Sequence, residues 1–196
     1  MSKVTLFIGD SVTDCGRLTE PPYGDGYVFN IANSGRLSGS IINVGTSGHR
    51  LVDLENRWNT DVLGHQPTLV SVAIGINDTW RRYDDNDPTS VEDFESSYRR
   101  VLTATKAQGN PEIVLCEPFL LEVRDEMNTW REDLDPKIEV VHKMVAEFGA
   151  KLVPFDQHFK AISVEMAMSE LAEDGIHPTK LGHQIMADLW LRTVGL

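Results

Sequence analysis

Short apolar runs bounded by glycine or proline alternate along the chain with stretches of amphipathic spacing. The apolar runs are the length of strands rather than helices and are typical of parallel strands buried on both faces. The predicted strands are residues 3–8, 41–44, 68–74, 112–116 and 151–153. Their alternation with helical patterns predicts an α/β fold, a three-layer α/β/α sandwich with a five-stranded parallel sheet. We expect residues 1–196 to form a single domain.

The stretches between the strands carry apolar residues three or four positions apart, which predicts amphipathic helices. Such stripes run through residues 51–62, 91–105, 134–148 and 181–189, the last through Leu181, Ile185 and Leu189. Segments 17–25 and 118–136 lack this pattern and leave from or near strand ends. Ligands of open α/β folds bind at the carboxyl ends of the strands, so we expect both segments to be pocket walls.

Ser11 follows the first predicted strand directly, in the run Gly9-Asp10-Ser11. A serine at a strand–helix junction has an exposed hydroxyl near the positive end of the helix dipole. Its own N–H group could stabilise an oxyanion. The alternative is a serine that only caps the helix.

The next two strand ends carry groups that could donate to the same anion. Residues 45–48 read GTSG, where a glycine allows close approach to the backbone and offers a free N–H. Asn77, in the GIND run, could present its side-chain amide as an oxyanion donor. Taken singly, a turn glycine and an Asx turn or helix cap are the simpler interpretations.

Asp174 and His177 lie three residues apart on one loop before a proline that suits a helix start. A nucleophilic serine needs a base, and the base needs a carboxylate that orients it. The alternative is a surface loop with an incidental histidine. The set is more specific than its members, because serine, glycine and asparagine each follow a successive parallel strand at the same sheet edge.

The blocks FIGDSVTDCGR, GTSG, GIND and DGIHP, in this order, resemble the SGNH hydrolase superfamily of GDSL esterases and lipases. The resemblance runs the length of the chain. It implies that Ser11 is the nucleophile and, through its N–H, the first oxyanion donor. Gly48 and Asn77 would be the other donors, His177 the general base and Asp174 its orienting acid. It also implies a flavodoxin-like sandwich that uses no metal and no organic cofactor.

A narrower resemblance is to intracellular carbohydrate esterases, in particular acetyl xylan esterases that deacetylate xylo-oligosaccharides. FIGDSVTDCGR, the GINDTWRRYD stretch and EPFLLE after the fourth strand carry it. It implies an esterase for short acyl groups such as acetyl, with Trp80, Arg81 and Tyr83 near the sugar and self-association into a homo-oligomer. The sequence departs from that group at one position. Those esterases tend to carry an aromatic residue just before the catalytic aspartate, whereas here Glu173 precedes Asp174, and this difference concerns the sugar contacts.

The bulk composition limits the classes of partner. A formal net charge of −12 and a pI of about 4.8 oppose binding to nucleic acid or to anionic membranes. No apolar stretch approaches transmembrane length, and no signal-peptide pattern stands at the N-terminus. Cys15 and Cys116 form no C-x-x-C motif and no disulfide framework, so we expect a cytoplasmic protein with reduced thiols.

Several rival functions stay open at this stage. The same chemistry could act on a lysophospholipid, an aryl ester or an acyl thioester, although no extended apolar stretch suits a lipid tail. A non-catalytic carbohydrate-binding protein would be expected to carry a damaged triad. A flavin or nucleotide binder needs a phosphate loop, which the sequence does not contain. Cys15 is an alternative nucleophile, with a packed position on the first helix as the simpler expectation.

Overall fold

The computed structural model of the protein describes residues 3–20 and 22–196. Five parallel strands form one sheet in the order β2-β1-β3-β4-β5. They are β1 Val4–Gly9, β2 Ser40–Asn43, β3 Leu69–Ala73, β4 Glu112–Cys116 and β5 Lys151–Val153. Each predicted strand agrees with the observed one to within one residue at either end. Pro21, within the predicted irregular segment 17–25, lies outside the described residues.

Helices cover both faces of the sheet, which confirms the predicted three-layer α/β/α sandwich. They are α1 Ser11–Asp14, α2 Tyr27–Asn33, α3 Leu51–Asp61, α4 Ile76–Asp84, α5 Val91–Ala107, α6 Arg131–Phe148, α7 Phe155–Ile162, α8 Met168–Leu171 and α9 Lys180–Val194. Along β1, Phe7 belongs to the core beneath α2, α7 and α9. Leu6 and Ile8 belong to the core beneath α3, α5 and α6. This alternation follows from the two-residue period of a strand.

The buried face of α9 differs from the predicted one. Leu181, the first residue of the predicted stripe, is 43% exposed, whereas Met186 and Trp190 are fully buried. Trp190 packs on Phe7 and donates its Nε1–H to the Ser71 hydroxyl of β3 at 2.9 Å. Ile185 and Leu189 are partly buried against the same core, so the predicted stripe follows the edge of the buried face, and Leu181 is the residue that was placed wrongly.

Segment 118–136 is irregular only in its first half, so this prediction was wrong in part. A 3₁₀ helix covers Asp125–Trp130, and α6 begins at Arg131 with Pro136 inside it. Proline lacks the N–H that would bond to Glu132, the second residue of the helix. The lost bond falls near the N-terminus, where the tertiary contacts of α6 outweigh it.

The strand order places a crevice at the carboxyl end of β1. From β1 the chain adds β2 on one side and β3 on the other, which makes this edge the topological switch point of the sheet. Ser11 follows β1, and Asn77 follows β3 after three residues. Within residues 3–20 and 22–196, no helix combines the length and apolar character needed to cross a membrane.

Candidate active site

Ser11 is the first residue of α1, immediately beyond β1. Asp10 caps this helix, since its carboxylate accepts a hydrogen bond from the Val12 N–H at 3.0 Å. The capping residue is therefore the aspartate, which leaves the Ser11 hydroxyl free for another contact. Asp10 was not singled out from the sequence, although an aspartate before a helix start is the usual signal of an N-cap.

Ser11, His177 and Asp174 form a continuous chain of hydrogen bonds. Ser11 Oγ lies 2.9 Å from His177 Nε2, and His177 Nδ1 lies 2.6 Å from Asp174 Oδ2. An ionised carboxylate only accepts hydrogen bonds, so Nδ1 of a neutral His177 carries the proton that bonds Asp174. Nε2 is then unprotonated and can take the proton of the serine hydroxyl. The loop thus returns to Ser11 in the geometry that a nucleophile and its base require.

The loop that carries Asp174 and His177 is held by its own backbone. Asp174 Oδ1 accepts hydrogen bonds from the N–H groups of Ile176 at 2.9 Å and His177 at 2.7 Å. Desolvation raises the pKa of Asp174, but the hydrogen bonds from His177 and Ile176 outweigh it and hold that pKa below its ordinary value. Gly175 has φ +84°, and a Cβ there would meet the Leu121 carbonyl oxygen at 2.2 Å. Only glycine fits this turn.

Asn77 contacts the loop backbone one residue after Gly48. The Asn77 Nδ2 group donates to the His49 carbonyl at 3.0 Å, which uses one of its two amide hydrogens. Gly48, next to His49, has φ +79° and is exposed. In the part of the chain that the structure describes, neither the Ser11 nor the Gly48 N–H has an acceptor. The site therefore offers two free backbone donors and one side-chain amide.

The two glycines of the GTSG run have different surroundings. A Cβ on Gly45 would meet the Asp14 nitrogen at 2.3 Å, so Gly45 packs tightly against α1. A Cβ on Gly48 would have no atom within 4 Å, so this glycine is required by its backbone angle and not by crowding. Gly48 is thus the accessible member of the pair, as expected of an oxyanion donor.

An aromatic surface borders the triad. The Trp80 ring lies 6.1 Å from the His177 ring and 6.0 Å from the Trp130 ring, and it is only half-buried. Tyr83 stacks on Trp130 at 5.0 Å, and Arg81 pairs with aspartates of its own helix. Of the three predicted sugar-contacting residues, Trp80 is the one beside the base. Trp130 supports it from segment 118–136, a role that the sequence did not indicate.

A small apolar cavity of about 20 Å³ lies between the carboxyl ends of β1, β3 and β4. Its walls include the sequence neighbours of Ser11, Asn77 and His177. The apolar residues among them are Val12, Ala73, Ile74, Ile76, Pro118, Phe119, Phe155, Ile176 and Met186. A space of this size holds about one water-sized or methyl-sized group.

Asp10 and Asp78 are buried carboxyl groups next to the site residues. Asp10 is 2% exposed and Asp78 fully buried. Desolvation by burial raises the pKa of each to about 7, although hydrogen bonds from Val12 and Leu51 act in the opposite direction. Both acids therefore titrate near neutrality.

Cys15 is not arranged as a nucleophile. Burial, assisted by the hydrogen bond and charge of Asp25, raises the pKa of its thiol to about 12. The expectation that Cys15 packs as a helix residue was wrong, because α1 ends at Asp14 and Cys15 takes a left-handed conformation with φ 38°. Its Sγ lies 3.3 Å from Nε2 of His183, whose Nδ1 accepts from the Tyr27 N–H. Burial lowers the pKa of His183 to about 4, so this histidine is neutral and structural.

Among the described side chains, no group of three or more His, Cys, Asp or Glu residues is placed to hold a metal ion.

Comparisons with known proteins agree with this geometry. An acetylxylan esterase from Geobacillus stearothermophilus is 33% identical over 207 residues, which cover 97% of this chain and 93% of that protein. A crystal structure described as that of a GDSL-like lipase from Parabacteroides merdae has a TM-score of 0.91 and 35% identity, covering 99% of this chain and 96% of that one. Structures of Axe2, an acetylxylan esterase from Geobacillus stearothermophilus, include catalytic mutants altered at a serine, a histidine and an aspartate. They have a TM-score of 0.89 and 32% identity, covering 99% of this chain and 94% of theirs. The GDSL-like Lipase/Acylhydrolase family matches residues 7–185, and the chain therefore belongs to that family.

Proposed function

We propose that this protein is a serine esterase that removes acetyl groups from carbohydrates such as acetylated xylo-oligosaccharides. The observation that carries the proposal is the unbroken hydrogen-bond chain from Ser11 through His177 to Asp174. The full-length similarity to an acetylxylan esterase supports the substrate class.

The reaction begins when Ser11 Oγ attacks the ester carbonyl carbon and its proton passes to His177 Nε2. Asp174 stabilises the resulting imidazolium. The tetrahedral intermediate collapses as the C–O bond to the sugar breaks, and His177 returns the proton to the departing hydroxyl. Water, deprotonated by His177, then attacks the acetyl-serine. The second tetrahedral intermediate collapses when its C–O bond to Ser11 breaks, and His177 returns the proton to Ser11 Oγ. Acetate leaves, and the free serine is restored.

Three donors are proposed to stabilise the oxyanion of both tetrahedral intermediates: the N–H groups of Ser11 and Gly48 and the free amide hydrogen of Asn77. The three donors follow the carboxyl ends of the neighbouring strands β2, β1 and β3 and are in place before substrate arrives, so we expect little reorganisation during the reaction. The loss of one such donor typically costs about 3 kcal/mol of transition-state stabilisation.

The apolar cavity supports a short acyl group. We propose that it receives the methyl of the acetyl group, because its volume of about 20 Å³ matches one methyl-sized group better than a longer chain. Acyl thioesters and lysophospholipids carry such chains, and this space disfavours them.

Trp80 is proposed to bind the alcohol part of the substrate. Its half-buried ring stands beside His177, where the sugar oxygen must take up a proton. An aromatic face suits the apolar C–H face of a pyranose. Arg81 and Tyr83, which pack around this ring and Trp130, would act mainly by fixing its position.

The test compares Ser11→Ala with the native protein on p-nitrophenyl acetate and on acetylated xylo-oligosaccharides. The variant should lose about 10⁴-fold or more in kcat while its circular dichroism is unchanged. Ser163→Ala is the matched control, because the hydroxyl of this serine, as far as the described residues show, bonds only the Lys160 carbonyl at the end of α7. Undiminished hydrolysis by Ser11→Ala would end the esterase proposal. A preference for lysophospholipid or acyl thioester over acetylated sugar would keep the chemistry and refute the substrate.

Cytoplasmic location, self-association and one domain over residues 1–196 are kept as further proposals. The free thiols of Cys15 and Cys116 support a reducing compartment. Sedimentation equilibrium tests the oligomeric state, and limited proteolysis tests the domain.

A further inference from the structure

We infer that Asp78 is a positioning residue that holds the oxyanion-hole loop, residues 46–50, in its working conformation. This inference rests on the proposed esterase function. The triad does not use Asp78, and no side chain of the triad contacts it in the described structure. Its carboxylate points instead to the end of the loop that carries Gly48.

Residues 46–50 are held at both ends by elements of the active site. At the start, the Thr46 N–H donates to the Gly9 carbonyl at 3.0 Å, and the Ser47 N–H and hydroxyl donate to Asp14 at 3.1 and 2.7 Å. These contacts tie the loop to β1 and to α1, which carries Ser11. Gly48 follows at once, in a conformation that its neighbours must impose.

The far end of the loop is held by two consecutive residues of α4. Asn77 donates to the His49 carbonyl at 3.0 Å, and Asp78 accepts from the Leu51 N–H at 3.1 Å through Oδ2. His49 and Leu51 flank the point where the loop becomes α3. The first turn of α4 therefore fixes the two peptides on either side of Arg50, two residues beyond Gly48. Loss of the Asp78 contact would let this end of the loop shift while Asn77 stayed in place.

The hydrogen bond between Asp78 and the Leu51 N–H forms although burial of a carboxylate costs desolvation free energy. The side chain is fully buried, and burial raises its pKa to about 7. A leucine or asparagine would avoid that cost, since neither brings a charge into the interior. Asp53 accepts from the Arg50 N–H at 2.8 Å from within α3 itself, whereas Asp78 reaches the Leu51 N–H from another helix. What Asp78 adds is a link between α3 and the helix that carries Asn77.

The experiment measures kcat and KM for p-nitrophenyl acetate in Asp78→Ala, Asp78→Asn and Ser90→Ala. Displacement of a catalytic group by about 1 Å can cost about 100-fold in rate, so we expect Asp78→Ala to lose ten- to a hundredfold in kcat. KM should change little, because the bound ester has no oxyanion, and the negative charge develops only on the way to the tetrahedral intermediates. Asp78→Asn keeps an oxygen for the Leu51 N–H and should retain kcat within about threefold, on the same argument.

Ser90→Ala separates positioning from helix stability. It removes the N-cap of α5, where the Ser90 hydroxyl accepts from the Asp93 N–H at 3.0 Å, and the hydrogen bonds of this hydroxyl stay at that helix end, so the variant should have a lower unfolding midpoint and an unchanged kcat. Equal losses of kcat in Ser90→Ala and Asp78→Ala, or an unchanged kcat in Asp78→Ala, would overturn the inference. If Asp78→Ala does not fold, a kcat loss of about 100-fold in a folded Asp78→Asn overturns it as well. Activity of the native protein, absent in Ser11→Ala, shows that such a failure concerns Asp78 alone and not the esterase function.

Discussion

Replacement of Asp10 by asparagine should make the free energy of unfolding less dependent on pH. Burial raises the pKa of Asp10 from 3.8 to about 7 in the folded protein. A carboxyl group with a higher pKa in the folded state binds its proton more tightly there. The native protein therefore loses stability as the pH rises from about 4 to about 7, where the unfolded chain is already ionised.

The size of the effect follows from the two pKa values. A difference of 7 − 3.8 = 3.2 corresponds to about 4 kcal/mol, at about 1.36 kcal/mol per pKa unit. About 3 kcal/mol of this falls between pH 5 and pH 8, because the unfolded carboxyl is largely ionised by pH 5. Asparagine has no charge to desolvate and still accepts the capping hydrogen bond from Val12. The stability of Asp10→Asn relative to the native protein should thus increase by about 3 kcal/mol over that range.

Urea unfolding of both proteins, followed by tryptophan fluorescence at several pH values between about 5 and 8, measures this difference. Asp188→Asn is the control, since it removes one negative charge from an exposed position on α9. A native-minus-variant difference that is the same at pH 5 and pH 8 would refute the reasoning. So would an equal pH dependence in Asp188→Asn, which would trace the effect to net charge and not to burial.

Three further predictions concern activity. Asn77→Ala removes the side-chain oxyanion donor, and stopped assays on p-nitrophenyl acetate should show kcat lower by about 10²–10³-fold; a loss below tenfold would exclude this role. Trp80→Ala should raise KM for acetylated xylo-oligosaccharides about tenfold, equivalent to about 1.4 kcal/mol of lost apolar contact, while p-nitrophenyl acetate is hydrolysed nearly as before. Equal effects on both substrates would argue against sugar binding by the Trp80 ring. Met186→Ala enlarges the apolar cavity from the side of α9, and the ratio of butyrate to acetate ester hydrolysis should rise even though the variant loses about 3 kcal/mol of stability. An unchanged ratio would place the acyl group elsewhere.

The sheet and the positions of the principal site residues followed from local pattern. Buried parallel strands are continuous apolar runs, so their ends are marked by the glycine and polar residues that follow, as at Gly9 and Gly75. All strands of a parallel sheet end at the same edge. Ser11, Asn77 and a glycine of the GTSG run were therefore expected together at that edge, and the family resemblance selected Gly48. The pairing of Asp174 with His177 was expected because three residues on one loop are close in any conformation.

Which face of each helix is buried could not be settled in the same way. On α9 the buried face includes His183, which a hydrogen bond from the Tyr27 backbone makes tolerable. A partner 156 residues away leaves no trace in the local pattern. Pro136 likewise ended the segment predicted to be irregular, although it lies inside α6, near the N-terminus of that helix.

The sequence by itself determined the α/β order, the strand ends and a serine, glycine, asparagine, aspartate and histidine set at one edge. These depend on the two-residue and 3.6-residue periods and on short loops, which are local properties of the chain. Only the tertiary structure decided that Asp10 is a buried cap, that Trp80 and not Arg81 or Tyr83 stands beside His177, and that Asp78 holds the loop around Gly48. Each of these depends on segments distant in sequence, and burial and hydrogen bonding exist only once those segments have packed.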